Sequence, residues 1–296
     1  MNNKNRTTEF VRCMISRFQE DDLPALAAQL TYYLILAFFP FLIFVVSIVG
    51  FAHLTTEDLM GELSRVLPSD TADAVRSIVD EVTANENGTL LSIGMLATIW
   101  AASNGMNAII KGLNKAYDEE ETRPFWKVRG LSVVATIVLA IVILISMLML
   151  VFGRIVGEWL FRRLDYPSAF PWTWGFVKLA IPLVAMLGVF MLLYRHAPNR
   201  RLNWSAVVPG TLFTTIGWII SSLAFAFYVN HFANYTKTYG SIGGIIVLLV
   251  WLYLSSIIVL LGGEVNATLA FAKEGKTKCE SKKFGLRLPW LNNKTG

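Results

Sequence analysis

Charged residues are scarce in this sequence. They make up 16% of its 296 residues, whereas a soluble globular domain carries about 25%. Hydrophobic residues reach 54%, and the mean hydropathy is +0.52. This composition places the chain among membrane proteins and leaves no room for a large soluble domain. The start of the sequence also lacks the apolar core and cleavage site of a signal peptide, so we expect no processing there.

The residues that hydrolytic enzymes use are also scarce. The three histidines are His53, His196 and His231, and the topology described below puts His196 on the opposite side of the membrane from the other two. A metal-dependent nuclease needs clustered His and Asp ligands. The sequence contains no Walker loop, HExxH or GxSxG motif. We therefore expect no enzymatic activity, no metal ion and no cofactor.

Cysteine is nearly absent. Cys13 and Cys279 lie near opposite ends of the chain, and neither belongs to a CxxC pair or stands near a histidine cluster. This spacing gives no support for a metal site or a redox motif. The sequence favours two free thiols.

Long apolar runs are abundant by contrast. The clearest run, Ile242 to Leu261, has twenty residues without a charge, and at 1.5 Å per residue it matches the hydrocarbon core of about 30 Å. Five further runs have the same character: 27–52, 89–110, 130–153, 177–194 and 204–229. The sequence therefore predicts an all-α, polytopic membrane protein with six transmembrane helices and additional short amphipathic helices.

The distribution of basic residues predicts the orientation of these helices. An even number of spans puts both termini on one side, and 19 of the 26 Lys and Arg residues fall on that side. The positive-inside rule then makes both termini cytoplasmic. The net charge of +5 has the same origin, so we expect contact with the lipid bilayer and none with nucleic acid.

Three regions follow from this topology. Residues 1–26 form a cytoplasmic amphipathic segment, residues 27–272 form the six-helix domain with an external helical hairpin at 53–88, and residues 273–296 form a basic cytoplasmic tail. In the first region an apolar stripe with Arg12 and Arg17 beside it is compatible with two placements. The segment either lies on the membrane surface or packs on other cytoplasmic segments.

Polar side chains within two of the predicted spans mark a candidate site. The second span carries Asn104, Asn107 and Lys111, and the sixth carries Glu264 and Asn266. A carboxylate in the membrane is costly, about 2.5–3.5 kcal/mol for Asp at the centre, and therefore marks either function or an ion pair. These groups are predicted to line one cytoplasm-facing translocation path, with Lys111, Arg195 or Asn107 as partners of Glu264. The alternative is that they only tie helices together.

Glycine and proline residues in the spans predict close helix packing or hinges. Glycine lets two backbones approach closely, and proline removes one helical hydrogen bond. The residues assigned to this role are Pro40, Gly105, Pro209, Gly210, Gly240, Gly243, Gly244, Gly262 and Gly263.

Several motifs occur together in one order along the chain. They are Tyr32-Tyr33 with Phe39-Pro40, Trp100 to Asn107, Leu113 to Tyr117, Arg123-Pro124-Phe125, Pro209-Gly210, Tyr228, Tyr239-Gly240-Ser241, Trp251-Leu252-Tyr253 and Leu261 to Ala267. With these motifs, about residues 10 to 272 resemble the YihY/BrkB family of bacterial inner-membrane proteins. The resemblance implies a six-helix protein of the bacterial inner membrane with a poorly defined molecular function. It also implies that the family's old ribonuclease BN label is a misassignment.

Two functions from different classes fit these observations. The first is a transporter or exporter of an unknown small solute, and the alternative is a non-transporting scaffold that maintains the envelope. A ribonuclease is the less favoured third reading. A transporter should show a hydrated cavity bounded by Asn104, Asn107 and Glu264, whereas a scaffold should show these groups closed off and hydrogen-bonded. The sequence leaves open whether copies of the chain form a homo-oligomer.

Overall fold

The computed structural model describes residues 13–51, 88–163, 170–232 and 242–275. This part of the chain is all-α, which confirms the all-α part of the predicted fold class. Its seven helices are α1 (residues 13–20), α2 (Leu23–Phe51), α3 (Gly88–Ala116), α4 (Phe125–Arg163), α5 (Phe170–His196), α6 (Trp204–Phe232) and α7 (Ile242–Lys273). The predicted external hairpin, Gly240 and most of the basic tail lie outside the described residues.

The six long helices form a closed ring. Each helix from α2 to α6 packs on the next one in the chain, and α7 packs back on α2, with a further contact to α3. Short connections at 117–124 and 197–203 make α3 antiparallel to α4 and α5 antiparallel to α6. The contacts of Gly105 with Leu30 and of Gly112 with Leu26 make α2 antiparallel to α3, and those of Gly210 with Gly262 and of Gly217 with Ile258 do the same for α6 and α7. The ring brings the first and last long helices together, so residues distant in sequence become neighbours.

One end of this ring is closely packed, and we call it the closed end. It contains the beginnings of α2, α4 and α6 and the ends of α3, α5 and α7. The three clusters of buried apolar side chains all lie here. Their buried members are Leu23, Ala27, Ile110, Leu113, Ala116, Tyr117, Val128, Tyr194, Ala197, Val207, Leu260, Ala267 and Phe271. The closed end is therefore the core of the described structure.

Large apolar side chains elsewhere face outward. Leu96, Phe176 and Leu223 are 69%, 74% and 68% exposed. Within the described residues, four helices are long and apolar enough to cross a bilayer, over Phe125–Ile143, Thr173–His196, Trp204–Val229 and Gly243–Lys273. Exposed apolar surface of this extent is stable in lipid and not in water. The chain is embedded in the bilayer as a multi-pass protein.

The bounds of α4 and α5 differ from the predicted spans. The third span was predicted to end at Gly153, but α4 continues to Arg163, and α5 begins at Phe170. With 39 residues, α4 is about 58 Å long at 1.5 Å per residue, well beyond the hydrocarbon thickness of about 30 Å. Backbone hydrogen bonding continues where the apolar composition stops, and this is why the composition misplaced the boundary.

Helix α1 packs against protein, the second of its two predicted placements. Phe18 contacts the apolar cluster around Leu23, and Thr268 Oγ1 of α7 lies 3.7 Å from Met14 Sδ. The side of α1 that was expected to be exposed is buried, because Arg17 is 1% exposed whereas Ile15 of the apolar stripe is 60% exposed. This inversion places a charged group inside the closed end.

Candidate functional site

A buried arginine joins three elements at the closed end. The Nε of Arg17 donates a hydrogen bond to Glu264 Oε2 of α7 at 3.2 Å and lies 3.4 Å from Asp21 Oδ2. Its Nη2 donates to the Ala116 carbonyl oxygen at 2.8 Å and to Asp118 Oδ2 at 3.1 Å. One guanidinium therefore links α1 to the end of α3 and to the last helix. We call Arg17, Asp21, Asp118 and Glu264 the Arg17 cluster.

The turn after α1 sets the position of two cluster members. Arg17 and Asp21 are four residues apart, the spacing at which helical side chains meet, and the Asp21 amide donates to the Arg17 carbonyl at 2.8 Å. Asp22 then adopts a left-handed φ of 51°, a conformation that Asp tolerates better than most residues. This residue ends α1 and lets the chain turn into α2.

Burial raises the free-energy cost of keeping the side chains of the Arg17 cluster charged. Asp21 and Glu264 are each 2% exposed, whereas the Asp118 side chain is 21% exposed. Ions removed from water lose hydration energy that their attraction does not always replace. The cluster therefore contacts water through Asp118, while Arg17, Asp21 and Glu264 depend on one another.

Aromatic rings and a second arginine surround the cluster. The Phe271 ring centroid lies 5.9 Å from the guanidinium of Arg17 and 5.7 Å from that of Arg200. Arg200 also lies 5.7 Å from the ring of Tyr117 and bonds to Glu274. Burial raises the pKa of the Tyr117 phenol above its ordinary value, although the Arg200 charge opposes the rise. These groups separate the buried charges from the solvent at the end of the bundle.

A tight crossing of α6 and α7 lies next to the cluster. The Gly210 amide donates to Asn266 Oδ1 at 2.6 Å. A Cβ added at Gly210 would overlap the Gly262 carbonyl oxygen, and a Cβ added at Gly262 would overlap Thr214 Oγ1. Only glycine fits at both positions, because the two backbones approach without side chains between them.

Hydroxyl groups continue this crossing towards α5. Tyr194, which is 1% exposed, shares a hydrogen bond of 2.5 Å with Thr214 Oγ1 and donates one of 2.7 Å to the Val259 carbonyl. Further along, Trp218 Nε1 donates to Ser255 Oγ at 3.1 Å. Buried hydroxyls need such partners in lipid, so these bonds join α5, α6 and α7 into one unit.

The polar residues predicted on the second span have separate surroundings. Asn104 Oδ1 accepts a hydrogen bond of 2.6 Å from Arg129 Nη1 of α4, and that guanidinium lies 4.2 Å from the Trp100 ring centroid. Asn107 is half-buried and Lys111 is exposed. The hydrogen bonds of the described residues therefore do not connect Asn104, Asn107 or Lys111 to the Arg17 cluster.

The ion-pair partner predicted for Glu264 was wrong. Lys111, Arg195 and Asn107 were the candidates, but Glu264 pairs with Arg17, while the Arg195 guanidinium lies 3.9 Å from the Trp204 ring centroid. Arg17 was overlooked because it lies outside the apolar runs. Its spacing from Asp21, beside an apolar stripe, was the available signal.

The predicted packing residues lie at several depths. Pro40 and Pro209 are inside α2 and α6. A Cβ at Gly105 would make ordinary contact at 3.6 Å with Leu30 and Tyr33 of α2, whereas one at Gly263 would overlap Leu113. Gly243 is buried, and a Cβ at Gly244 would meet nothing within 4 Å.

The expectation of a free thiol at Cys13 was also wrong. Cys13 is 6% exposed and disulfide-bonded. The other cysteine of the chain, Cys279, lies outside the described residues. The spacing of the cysteines along the sequence gave no sign of this bond.

Comparison with known proteins gives one family over nearly the whole chain. The sequence model of the family described as virulence factor BrkB matches residues 14–284. A Bacillus subtilis (strain 168) protein, YfkH, named a ribonuclease-like protein, is 44% identical over 260 residues, which cover 88% of this chain and 94% of that protein. No solved structure matches the chain.

More distant relatives carry the name UPF0761 membrane protein. One from Tolumonas auensis is 29% identical over 89% of this chain and 86% of its own length. Another, from Pseudoalteromonas atlantica, is 25% identical over 90% of this chain and 88% of its own length. The match of the family model to residues 14–284 includes the Arg17 cluster and the six long helices.

Proposed function

This chain belongs to the BrkB family of membrane proteins, and from that premise we propose that it transports a small solute and that the Arg17 cluster is its inner gate. The observation that carries the proposal is the buried pair of Arg17 and Glu264 across the closed end. An ionisable residue at membrane depth marks a functional site unless packing explains it. A buried ion pair is often no more stabilising than apolar side chains of equal volume, so packing alone gives no reason to keep it.

The proposal includes six spans with both termini in the cytoplasm. The antiparallel ring supports it, because α2 and α3 have 29 residues each and reach about 44 Å at 1.5 Å per residue. The excess of Lys and Arg on the side of the termini supports the orientation. The closed end then faces the cytoplasm, in the inner membrane of a bacterium.

The arrangement of the ring supports a gate at one end. The apolar clusters and the Arg17 cluster occupy the closed end, where α1 docks between α3 and α7. Helix α1 is a short separate element, joined to α2 by the turn at Asp21 and Asp22. Movement of α1 with Arg17 opens the closed end without unfolding any long helix, and this is what alternating access requires of a gate.

A scaffold is the second candidate, and one observation favours it. Asn104 and Asn266 are hydrogen-bonded inside the bundle, to Arg129 and to the Gly210 amide. Hydrogen bonds of this kind hold helices together without a ligand. In this case the buried charges have a purely structural role.

We also propose that the chain is not a nuclease, despite the ribonuclease-like name of one relative. His196 ends α5 at the closed end, whereas His231 lies near the far end of α6. The 27 residue steps from Trp204 to His231 extend about 40 Å at 1.5 Å per residue. These two side chains therefore cannot bind one metal ion within a single chain.

The test compares solutes in cells with and without the protein. Cells that produce Glu264→Gln at matched membrane abundance are expected to behave like the deletion strain for the affected solute. Lys178→Ala, at an exposed position of α5, is the control and should behave like the wild type. If no solute differs between cells with and without the protein, and Glu264→Gln needs higher expression to reach that abundance, the scaffold replaces the transporter.

A further inference from the structure

The geometry around Arg17 brings two buried carboxylates to one nitrogen. The Nε of Arg17 carries a single hydrogen, yet Glu264 Oε2 lies 3.2 Å from it and Asp21 Oδ2 lies 3.4 Å from it. The two Nη2 bonds go to the Ala116 carbonyl and to Asp118. One N–H therefore lies within reach of both carboxyl groups, and both residues are 2% exposed.

The charges of the cluster do not balance. Within the Arg17 cluster one guanidinium faces two fully buried carboxyl groups and the partly exposed Asp118, so complete ionisation gives these four side chains an excess of negative charge. Two carboxylates that share one buried site do not both ionise readily, and one proton between them removes the repulsion. The other charged or titratable groups that face the site from neighbouring elements are Lys115, Tyr117, Glu119, Arg200 and Glu274, with Asp22 paired to Lys115.

A second observation indicates that the site accepts a small ligand. The hydroxyl of Tyr117, a residue 2% exposed, is buried without a hydrogen-bond partner among the described residues. Burial, and after it the charge of Glu264, raises the pKa of this phenol. A buried hydroxyl without a partner is costly, and a water molecule or hydronium ion beside Glu264 would satisfy it.

We propose that Asp21 and Glu264 share one exchangeable proton, which is the coupling ion of the inner gate. The role of this proton as coupling ion rests on the proposed transport function, whereas the proton site itself does not depend on it. With the proton bound, Arg17 and the two buried carboxyl groups sum to zero charge and the gate is closed. Release of the proton to cytoplasmic water beside Asp118 leaves a net negative charge in the closed end. Repulsion between Asp21 and Glu264 then loosens α1 from α7.

Infrared spectroscopy of the full-length protein in lipid nanodiscs tests the proton site. A protonated carboxyl has a carbonyl stretch that a carboxylate lacks. We expect this band in the wild type at neutral pH and its loss as pH rises. Glu264→Gln and Asp21→Asn should each remove it, because the remaining carboxylate then pairs with Arg17 alone. Asp22→Asn is the matched control, since Asp22 is the next residue but its side chain is 70% exposed, and it should keep the band.

Three results would overturn the proton site. The first is the absence of a titrating band in the wild type, a measurement that needs no variant to fold. The second is a band that persists in both Glu264→Gln and Asp21→Asn. The third is displacement of the band by sodium chloride at fixed pH when choline chloride has no effect, which would assign the site to a metal cation.

The proton site and the transport proposal fail in different ways. If the band behaves as expected while the cells show no solute difference, the proton site stands and transport is refuted. If a solute difference depends on Glu264 while the wild type has no titrating band, transport stands and proton coupling is refuted.

Discussion

Replacement of Arg17 by methionine tests whether the buried cluster holds the closed end together. Methionine keeps an unbranched apolar side chain but leaves Glu264 and Asp21, each 2% exposed, without their cation. Removal of one partner of a buried pair costs about 3–5 kcal/mol, because the remaining charge stays buried. In a chain of this size each kcal/mol lowers the Tm by about 2 °C, so we expect a decrease of roughly 6–10 °C.

The assay is thermal unfolding in detergent, followed by fluorescence of the nine tryptophans. Arg201→Ala is the control, because Arg201 is an exposed arginine of the α5–α6 connection, and its Tm should stay near that of the wild type. The double variant Arg17→Met with Glu264→Gln should recover much of the loss, since a neutral pair leaves a smaller buried charge. A loss in Arg17→Met of less than about 1 kcal/mol, the value of an exposed ion pair, would refute the reasoning.

Two further predictions concern packing and pH. Gly262→Ala should destabilise the protein by about 1–3 kcal/mol, because the added methyl group overlaps Thr214 Oγ1. At Gly188 a Cβ meets nothing within 4 Å, so Gly188→Ala should be neutral or slightly stabilising in the same thermal assay. Equal effects of the two substitutions would contradict the tight crossing of α6 and α7. Hydrogen bonds from Arg123 hold the pKa of Glu121 below its ordinary value of 4.5, so their contribution is complete above pH 4.5 and is lost as the pH falls through the lowered pKa. Glu121→Gln should therefore show a smaller loss of Tm on acidification, and an unchanged acid profile would argue against this role.

The sequence predicts the helices better than their contacts. The charge-free run from Ile242 to Leu261 identifies α7, because helix length follows from membrane thickness. The same reasoning located Glu264 and Asn266 near the end of that helix. It placed the end of α4 ten residues too early, since a helix can continue through residues that do not face hydrocarbon.

Partners across the bundle could not be read from the sequence. Arg17 and Glu264 are 247 residues apart, and periodicity shows which face of a helix is apolar but not which helix covers it. For α1 the pattern was compatible with lipid or protein as the covering surface, and Arg17 was expected on the exposed side. Its burial is a tertiary effect, because only the folded ring adds Glu264 and Asp118 to the local partner Asp21.

The distance along the chain between Arg17 and Glu264 also bears on biosynthesis. The ribosome makes Arg17 among the first residues and Glu264 among the last, so a nascent chain has α1 long before the helix that completes its docking site. Asp118 becomes available once α3 has been made, but α7 must enter the membrane before the ring closes. Helix α1 therefore reaches its final position only after α7, the last helix to be synthesised, has entered the membrane. A chain truncated before α7 would expose Arg17 and Asp21 to quality-control proteases, which could tell finished molecules from unfinished ones.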